Sequence, residues 1–457
     1  MESIVDVDYL VVGAGAMGMA FVDALTAHAD VSVAVVDRRH GPGGHWLDAY
    51  GFVRLHQASA FYGVASTLLG GGRVQSEGPE RGLHERARAA EVTEYYARVL
   101  AHLVRTGRVV FHGRTEYLGD RRFVSLLSGR RFHAPRARVV DARYLSPDIP
   151  LLTPPPFAVE DGAQVVAVNE LVRIAQAPAH YVIVGAGKTA TDTCVWLLHN
   201  GVSPDAITWV RPRDPWLLNR AVVQPDPAVF LGMAADTMAA AAESTSADDV
   251  FLRMEEAGIM LRFDTAVTPT MAKTPTLATW ELELARTIED VVRLGHLRAV
   301  TPTRLVLDDG EVRVPGGTLV VHCAAEGLKY PGLRPIWSAE AITPQPVRVG
   351  FPCFGAALTG YVEATRDDDA EKNRVCQPSP YSDTPGDWAT MQVIGGDASL
   401  ALTRDPDLRE WANTTRLNPS RIPEDRADDP AVVAARSRLK EWIAPGRARL
   451  AEYAARA

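Results

Sequence analysis

The stretch "YLVVGAGAMGMAFVDALTAHADVSVAVVDRR", residues 9–39, decides how the rest of the chain is read. An apolar strand runs into Gly13, Gly15 and Gly18, spaced G-x-G-x-x-G at the opening of a helix, and a second apolar strand ends in Asp37. Each glycine has a physical task in such a unit. The first makes the tight turn, the second lets backbone approach a pyrophosphate, and the third lets helix and strand pack closely. The helix N-terminus then faces the phosphates with its unpaired N–H groups. Asp37, followed by Arg38, stands where a ribose-binding carboxylate is expected. A glycine turn serving only packing is the plainer alternative, and the strand-turn-helix-strand context weighs against it.

The pattern returns at Tyr181 as "YVIVGAGKTATDTCVWLLHNGVSPDAITWVRPRDPW", with Gly185, Gly187 and Ala190 in the glycine positions and Lys188 and Thr189 opening the helix. Where the first copy has an acid, this one has Arg211 and Arg213. A carboxylate there would repel a 2′-phosphate, whereas guanidinium forks pair with one, so the second copy favours NADP over NAD. The alternative is that these arginines only solvate a strand end. A carboxylate-bearing site followed by an arginine-bearing one indicates FAD held first and NADPH second, with hydride passing between nicotinamide and flavin.

The two copies predict an α/β fold of two dinucleotide-binding, Rossmann-like three-layer domains. The expected organisation is a first FAD-binding portion over 1–150, a linker over 151–177, an NADP-binding domain with a helical insertion over 178–325, and a second FAD-domain portion with a C-terminal segment over 326–457. "EVTEYYARVLAHLV" at 91–104 has the apolar stripe of an amphipathic helix. "VVFHGRTEYLGDRRFVSLLSGRRFHAPRARVVDA", 109–142, reads as a small antiparallel meander that makes the FAD domain discontinuous. The proline-dense "SPDIPLLTPPPF", 146–157, reads as a stiff crossover. Helices are expected at "DDVFLRMEEAGIM" and "WELELARTIEDVVRLG", and strands around the Asp-Gly turn of "TRLVLDDGEVRV". Beyond Glu326 the chain looks Pro-rich and weakly periodic until a basic amphipathic helix at "ARSRLKEWI".

Composition narrows the partners. The 457 residues carry 48 basic against 56 acidic side chains, a formal charge of -8, without a basic run, so nucleic acid is not expected. No apolar run reaches the roughly 18 residues of a membrane span. The acidic opening "MESIVDVD" is unlike a signal peptide, and a soluble cytoplasmic protein is expected. The four cysteines are far apart, without the spacing of a dithiol or zinc centre, and no metal site is expected. Hydrolase motifs are missing too, so the chemistry falls to the cofactors.

The loop "VVDRRHGPGGHWLDAYGFVRLHQASAFYGV", 35–64, follows Asp37. Gly43, Gly44, His45 and Trp46 form G-G-x-W, and Arg54, His56 and Gln57 come shortly after. His56 and Gln57 are candidates for hydrogen bonds to a flavin ring or substrate, and Arg54 for balancing an anionic reduced flavin. For His56 the alternative is a satisfied structural histidine.

GAGAMG at 13, Asp37, GGHW at 43 and GAGKTA at 185 together resemble the class B flavoprotein monooxygenases: the flavin-containing, Baeyer-Villiger and N-hydroxylating enzymes. "TLVVHCAAEGL", 318–328, also stands where that family has a strand. The resemblance implies that NADPH reduces FAD, that oxygen adds to give a C4a-(hydro)peroxyflavin, and that one atom of molecular oxygen passes to a small organic substrate. It also implies that Gly43, Gly44 and Trp46 touch FAD. The linker departs from the family: "PPPFAVEDGAQVVAVNELVRIAQ" lacks the family's histidine, and "VVDARY" and "VVHCAA" replace its A-T-G, which marks a divergent branch. A flavin reductase, dehydrogenase or oxidase without oxygen transfer is the first alternative, and a non-catalytic flavin-binding module the second.

Overall fold

The structure is a computed structural model that describes residues 2–325, 327, 330–348 and 350–456. Glu326 and Leu328, which begin the expected C-terminal portion and end the matched "AAEGL" segment, lie outside the described residues.

Strands Val109–His112, Val33–Val36, Tyr9–Val12 and Arg138–Asp141 lie side by side in that order in one parallel sheet. Successive side chains of a strand point to opposite faces, and here both faces are buried, which is why the strands read as continuous apolar runs. Val11, Val33 and Val35 join a core with Met19, Val22 and Leu25 of helix Ala16–His28 and with Val92, Tyr96 and Val99 of helix Ala89–Arg105. Leu10, Val12, Ala34 and Val36 point the other way, onto Phe123 and Val139.

The second unit repeats the plan. Its five-stranded parallel sheet runs in the order Gln164–Ala167, Thr318–His322, His180–Val184, Ile207–Val210, Val291–Val292. Tyr181 and Ile183 pack with Ala190, Cys194 and Leu197 of helix Lys188–His199, while Val182 and Val184 meet Leu305 and Leu307 of a small antiparallel sheet. Each unit is therefore helix, parallel sheet and small sheet in three layers.

Three expectations are corrected. Only Thr115–Gly119, Arg122–Ser125 and Arg131–His133 form the antiparallel meander; the flanking Val109–His112 and Arg138–Asp141 belong to the parallel sheet, where Val109 and Val140 are buried. The helix expected over 280–295 stops at Ala285, because Val291–Val292 pairs as an edge strand with Trp209 and Val210. The C-terminal third is largely helical, with helices Pro352–Thr365, Asp369–Val375, Pro385–Arg404, Pro406–Thr414 and Pro430–Ala454. Four of these helices open on proline, and Thr384, Asp405 and Asp429 each accept backbone N–H bonds at the N-cap before it, where proline's missing donor costs nothing; Pro445 stands inside helix Pro430–Ala454.

Helix Pro352–Thr365 lies against helix Ala16–His28, so the C-terminal third shares the first unit's core. A Cβ on Gly360 would stand 2.4 Å from Phe21 O, which shows how close the two backbones come.

Candidate functional site

At the first glycine turn, Gly13 has φ +105 and its N–H donates to Val36 O at 2.8 Å, locking the turn to the neighbouring strand. A Cβ on Gly18 would fall 1.9 Å from Gly13 O, so the third glycine is a packing requirement. Asp37 braces this turn from the strand end: Oδ2 accepts Ala14 N–H at 2.7 Å and Oδ1 accepts Arg39 N–H at 2.8 Å. Arg38 is exposed, 3.7 Å from Glu116.

The G-G-x-W loop folds onto the same turn. Gly43 N–H donates to Ala14 O at 2.8 Å, and a Cβ on Gly44 would come 2.9 Å from Gly15 Cα. Two backbones meet here, which is a structural reason for Gly43 and Gly44 that the sequence reading did not include. Trp46 turns inward: its indole N–H donates to Tyr62 Oη at 2.6 Å within the first core. Its surroundings in the fold are therefore protein on the side where the indole nitrogen lies.

His45 sits beside Trp46, with ring centroids 5.4 Å apart. Burial, reinforced by the charge of Arg39, holds its pKa down at about 4, so it is neutral in the folded protein. An unfolded histidine binds a proton near pH 6.5, so His45 favours folding above that pH and loses the contribution as pH falls from about 6.5 to about 4. We expect His45→Gln to flatten this part of the curve of unfolding free energy against pH; urea titrations at pH 7 and pH 5 that show the same loss in wild type and variant would refute it.

At the second turn, Gly185 has φ +130 and donates to Val210 O at 3.0 Å. Gly187 is different from every glycine of the first turn: it is exposed at the N-cap of helix Lys188–His199, and a Cβ there would meet nothing within 4 Å. Thr189 is half-buried in the first turn of that helix. Lys188 does not reach outward; it is buried and paired with Asp192, one helical turn on, whose other oxygen accepts the Tyr50 hydroxyl at 2.7 Å.

The two arginines expected to hold a 2′-phosphate differ: one is buried in the core and the other is paired near the surface. Arg211 is 2% exposed, with its guanidinium over the rings of Trp209 and Phe263 and an ion pair to Asp214 at 3.3 Å. Arg213, about one-third exposed, pairs with Asp383 at 2.7 Å and donates to Thr270 O. Strand Ile207–Val210 delivers Arg211 into the core because its cationic plane stacks on aromatic faces. Arg213 alone keeps a guanidinium near the surface.

His56, Gln57 and Arg54 lie on the loop of the first unit, between strand Val33–Val36 and helix Ala89–Arg105, that packs against the second unit. Gln57 makes a long contact, Nε2 to Gly350 O at 3.4 Å. The His56 carbonyl accepts from Arg220 Nε at 2.9 Å and from Thr276 Oγ1. Burial, followed by the nearby cations Lys188, Arg220 and Arg86, holds the His56 imidazole far below its usual pKa, so it is a neutral ring beside the second glycine helix.

Behind it is a charge network that sequence reading missed. Arg220 pairs with Glu80 at 2.7 Å and Glu281 at 2.6 Å, and Arg86 pairs with the same two carboxylates. Burial pushes Glu281 up, but Arg220, Lys188 and Arg86 outweigh it and hold the carboxyl at about 2. These residues come from positions 80 to 281, and no local spacing announces them. Only Asp192, four residues after Lys188, carried a readable signal.

Two parallel-sheet units, each ending a strand in a glycine turn that feeds a helix, define an α/β protein with paired Rossmann-like units. A family described as NAD(P)-binding Rossmann-like domain matches residues 11–59, within the first unit. Uncharacterized protein Rv2000 of Mycobacterium tuberculosis (strain ATCC 25618 / H37Rv) is 42% identical over 420 residues, 91% of this chain and 78% of that protein. Uncharacterized protein Mb2023 of Mycobacterium bovis matches to the same extent, and the chain belongs to the family of these mycobacterial proteins. Among solved structures, cyclohexanone monooxygenase from Rhodococcus sp. Phi1 bound to NADP+ is 16% identical, covering 98% of each chain at a TM-score of 0.44. A flavin monooxygenase from Stenotrophomonas maltophilia, in a doubly substituted mutant form, is 14% identical over 82% of this chain and 100% of that one, at a TM-score of 0.45. Among the described residues no helix is long and apolar enough to cross a membrane.

Proposed function

We propose that this protein is an FAD-dependent, NADPH-using monooxygenase that transfers one atom of molecular oxygen to a small organic substrate. The observation that carries the reading is the pairing, in one chain, of two parallel sheets that each end in a glycine turn and a helix N-terminus, the arrangement that binds a dinucleotide pyrophosphate. The residues present fit the two groups differently. Gly13, Gly15, Gly18 and Asp37 would hold the FAD pyrophosphate and ribose, with the Gly43–Gly44 backbone alongside. The exposed, unobstructed Gly187 and the helix it caps would hold the nicotinamide dinucleotide.

FAD, when bound, supplies hydride acceptance and the reaction with oxygen. The protein's own residues set the surroundings. The neutral His56 ring adds a hydrogen-bonding group without a charge, and Lys188 is neutralised by Asp192. A 2′-phosphate would meet Arg213 rather than the buried Arg211.

Reduction and reoxidation test the reading. Anaerobic NADPH is expected to bleach the visible flavin absorbance, and Arg213→Ala to raise KM for NADPH more than for NADH. In air, hydrogen peroxide formed per NADPH consumed is expected to fall when an accepted substrate is present. Peroxide that stays equal to NADPH across a broad panel of candidates would instead favour a flavin oxidase or reductase, and no bleaching at all a binding module.

A further inference from the structure

A cleft of about 550 Å³ opens where loop 51–54 and segment 75–88 of the first unit face helix Lys188–His199 and helix Thr279–Ala285 of the second. That volume suits a small ligand. Its walls are aromatic: Phe52 stacks on Trp196 at 4.7 Å with the rings 12° apart, and Trp280 lines the cleft with them.

The charges facing this space are unevenly matched. Among its carboxylates, Glu80 and Glu281 are taken up by Arg86 and Arg220, and Asp192 by Lys188. Glu77 is exposed at the rim, as is Arg88. Arg54 is half-buried and lines the cleft, and among the described residues its guanidinium has no ion-pair or hydrogen-bond partner. Burial, followed by the neighbouring Arg88 and Arg86, presses its pKa down against the opposing pull of Glu80 and Glu91. The indole N–H of Trp280, one of the lining residues, is buried and has no hydrogen-bond partner among the described residues.

We propose that this cleft binds a planar aromatic anion, its acid group held by the Arg54 guanidinium and its ring set among Phe52, Trp196 and Trp280. A guanidinium fork fits a carboxylate or a phosphate, and flat apolar walls fit a ring. The anion has two sources, a carboxylate on a substrate or the phosphate of a nucleotide. The site stands on its own residues; where the redox reading also holds, it gives that reaction's substrate class in the carboxylate case.

Isothermal titration calorimetry of the full chain, without turnover, separates the cases. The probes are 2-naphthoate, the neutral 2-naphthalenemethanol and adenosine 2′-phosphate. We expect 2-naphthoate to bind at least about tenfold more tightly than the alcohol, and Arg54→Gln to remove that difference while leaving the alcohol's affinity unchanged. Adenosine 2′-phosphate that displaces 2-naphthoate supports the site with a nucleotide as its source, and failure to displace supports it with a carboxylate. Equal affinity for acid and alcohol in the wild type overturns the proposal, as does an acid affinity untouched by Arg54→Gln; the wild-type comparison stands even if the variant does not fold. Flavin reduction by NADPH is measured separately, so a failure here leaves that reading intact.

Discussion

Arg220→Met is expected to lower the unfolding free energy at pH 7 by about 3–5 kcal/mol, the usual loss when one member of a buried ion group is removed and the others stay charged. Arg220 is 0% exposed and serves Glu80, Glu281 and the His56 carbonyl at once. Without it Arg86 is the one guanidinium left to pair with both carboxylates, with Lys188 acting on Glu281 from farther off, in surroundings that solvate charge poorly. The wild type also carries a pH signature. Glu281, held at about 2 against an ordinary 4.5, contributes stability that is present above about 4.5 and is lost as pH falls toward 2, up to about 3 kcal/mol. In Arg220→Met burial faces less opposition, Glu281 moves back up, and the loss between pH 4.5 and 2 shrinks. The double variant Arg220→Met/Glu281→Gln restores one carboxylate to one guanidinium and should recover part of the stability. Urea titrations decide this: a single variant within about 1 kcal/mol of wild type would mean the network is not desolvated as its geometry implies.

That network anchors the loop that carries Arg54, His56 and Gln57. Arg220 and Thr276 hold the backbone of His56, so loop 51–57 is fixed against the second unit by polar contacts as well as by the Phe52–Trp196 stack. Ion pairs demand specific partners where apolar packing tolerates slippage, and here they join residues from both halves of the chain.

The glycine turns were legible because their spacing reports a local physical need, and Gly13, Gly18 and Gly185 show that need in their φ angles and close approaches. The parallel strands Tyr9–Val12, Val33–Val36 and Ile207–Val210 were legible from their place in the glycine units, while Val109–His112, outside any such unit, was misread as part of the antiparallel meander. Helix Pro352–Thr365, "PCFGAALTGYVEAT", escaped notice because it is apolar nearly all round and rich in small residues, so it shows no stripe. Arg211 looked like a ligand arginine from its place after a strand; that it stacks on Trp209 and on Phe263, far along the chain, is a tertiary fact that no strand-end pattern contains. The charge network was equally invisible, since each of its members alone resembles a solvated side chain.

The two glycine turns should respond oppositely to one added methyl group. In Gly18→Ala the new Cβ would lie 1.9 Å from Gly13 O, a backbone atom of the turn itself, so helix and turn cannot both keep their places. We expect a loss of about 3 kcal/mol or more, at or beyond the upper end of overpacking costs, together with loss of FAD. In Gly187→Ala the methyl meets no protein atom within 4 Å, and φ -83 suits alanine, so stability should stay within about 0.5 kcal/mol of wild type. A pyrophosphate bound at this N-cap would need the space the methyl takes, so the affinity for NADPH should fall by roughly tenfold or more. The pair distinguishes a glycine required by the fold from one required by a ligand. If Gly187→Ala, stably folded, binds NADPH as tightly as the wild type in equilibrium titration, the second turn is not the nicotinamide dinucleotide site.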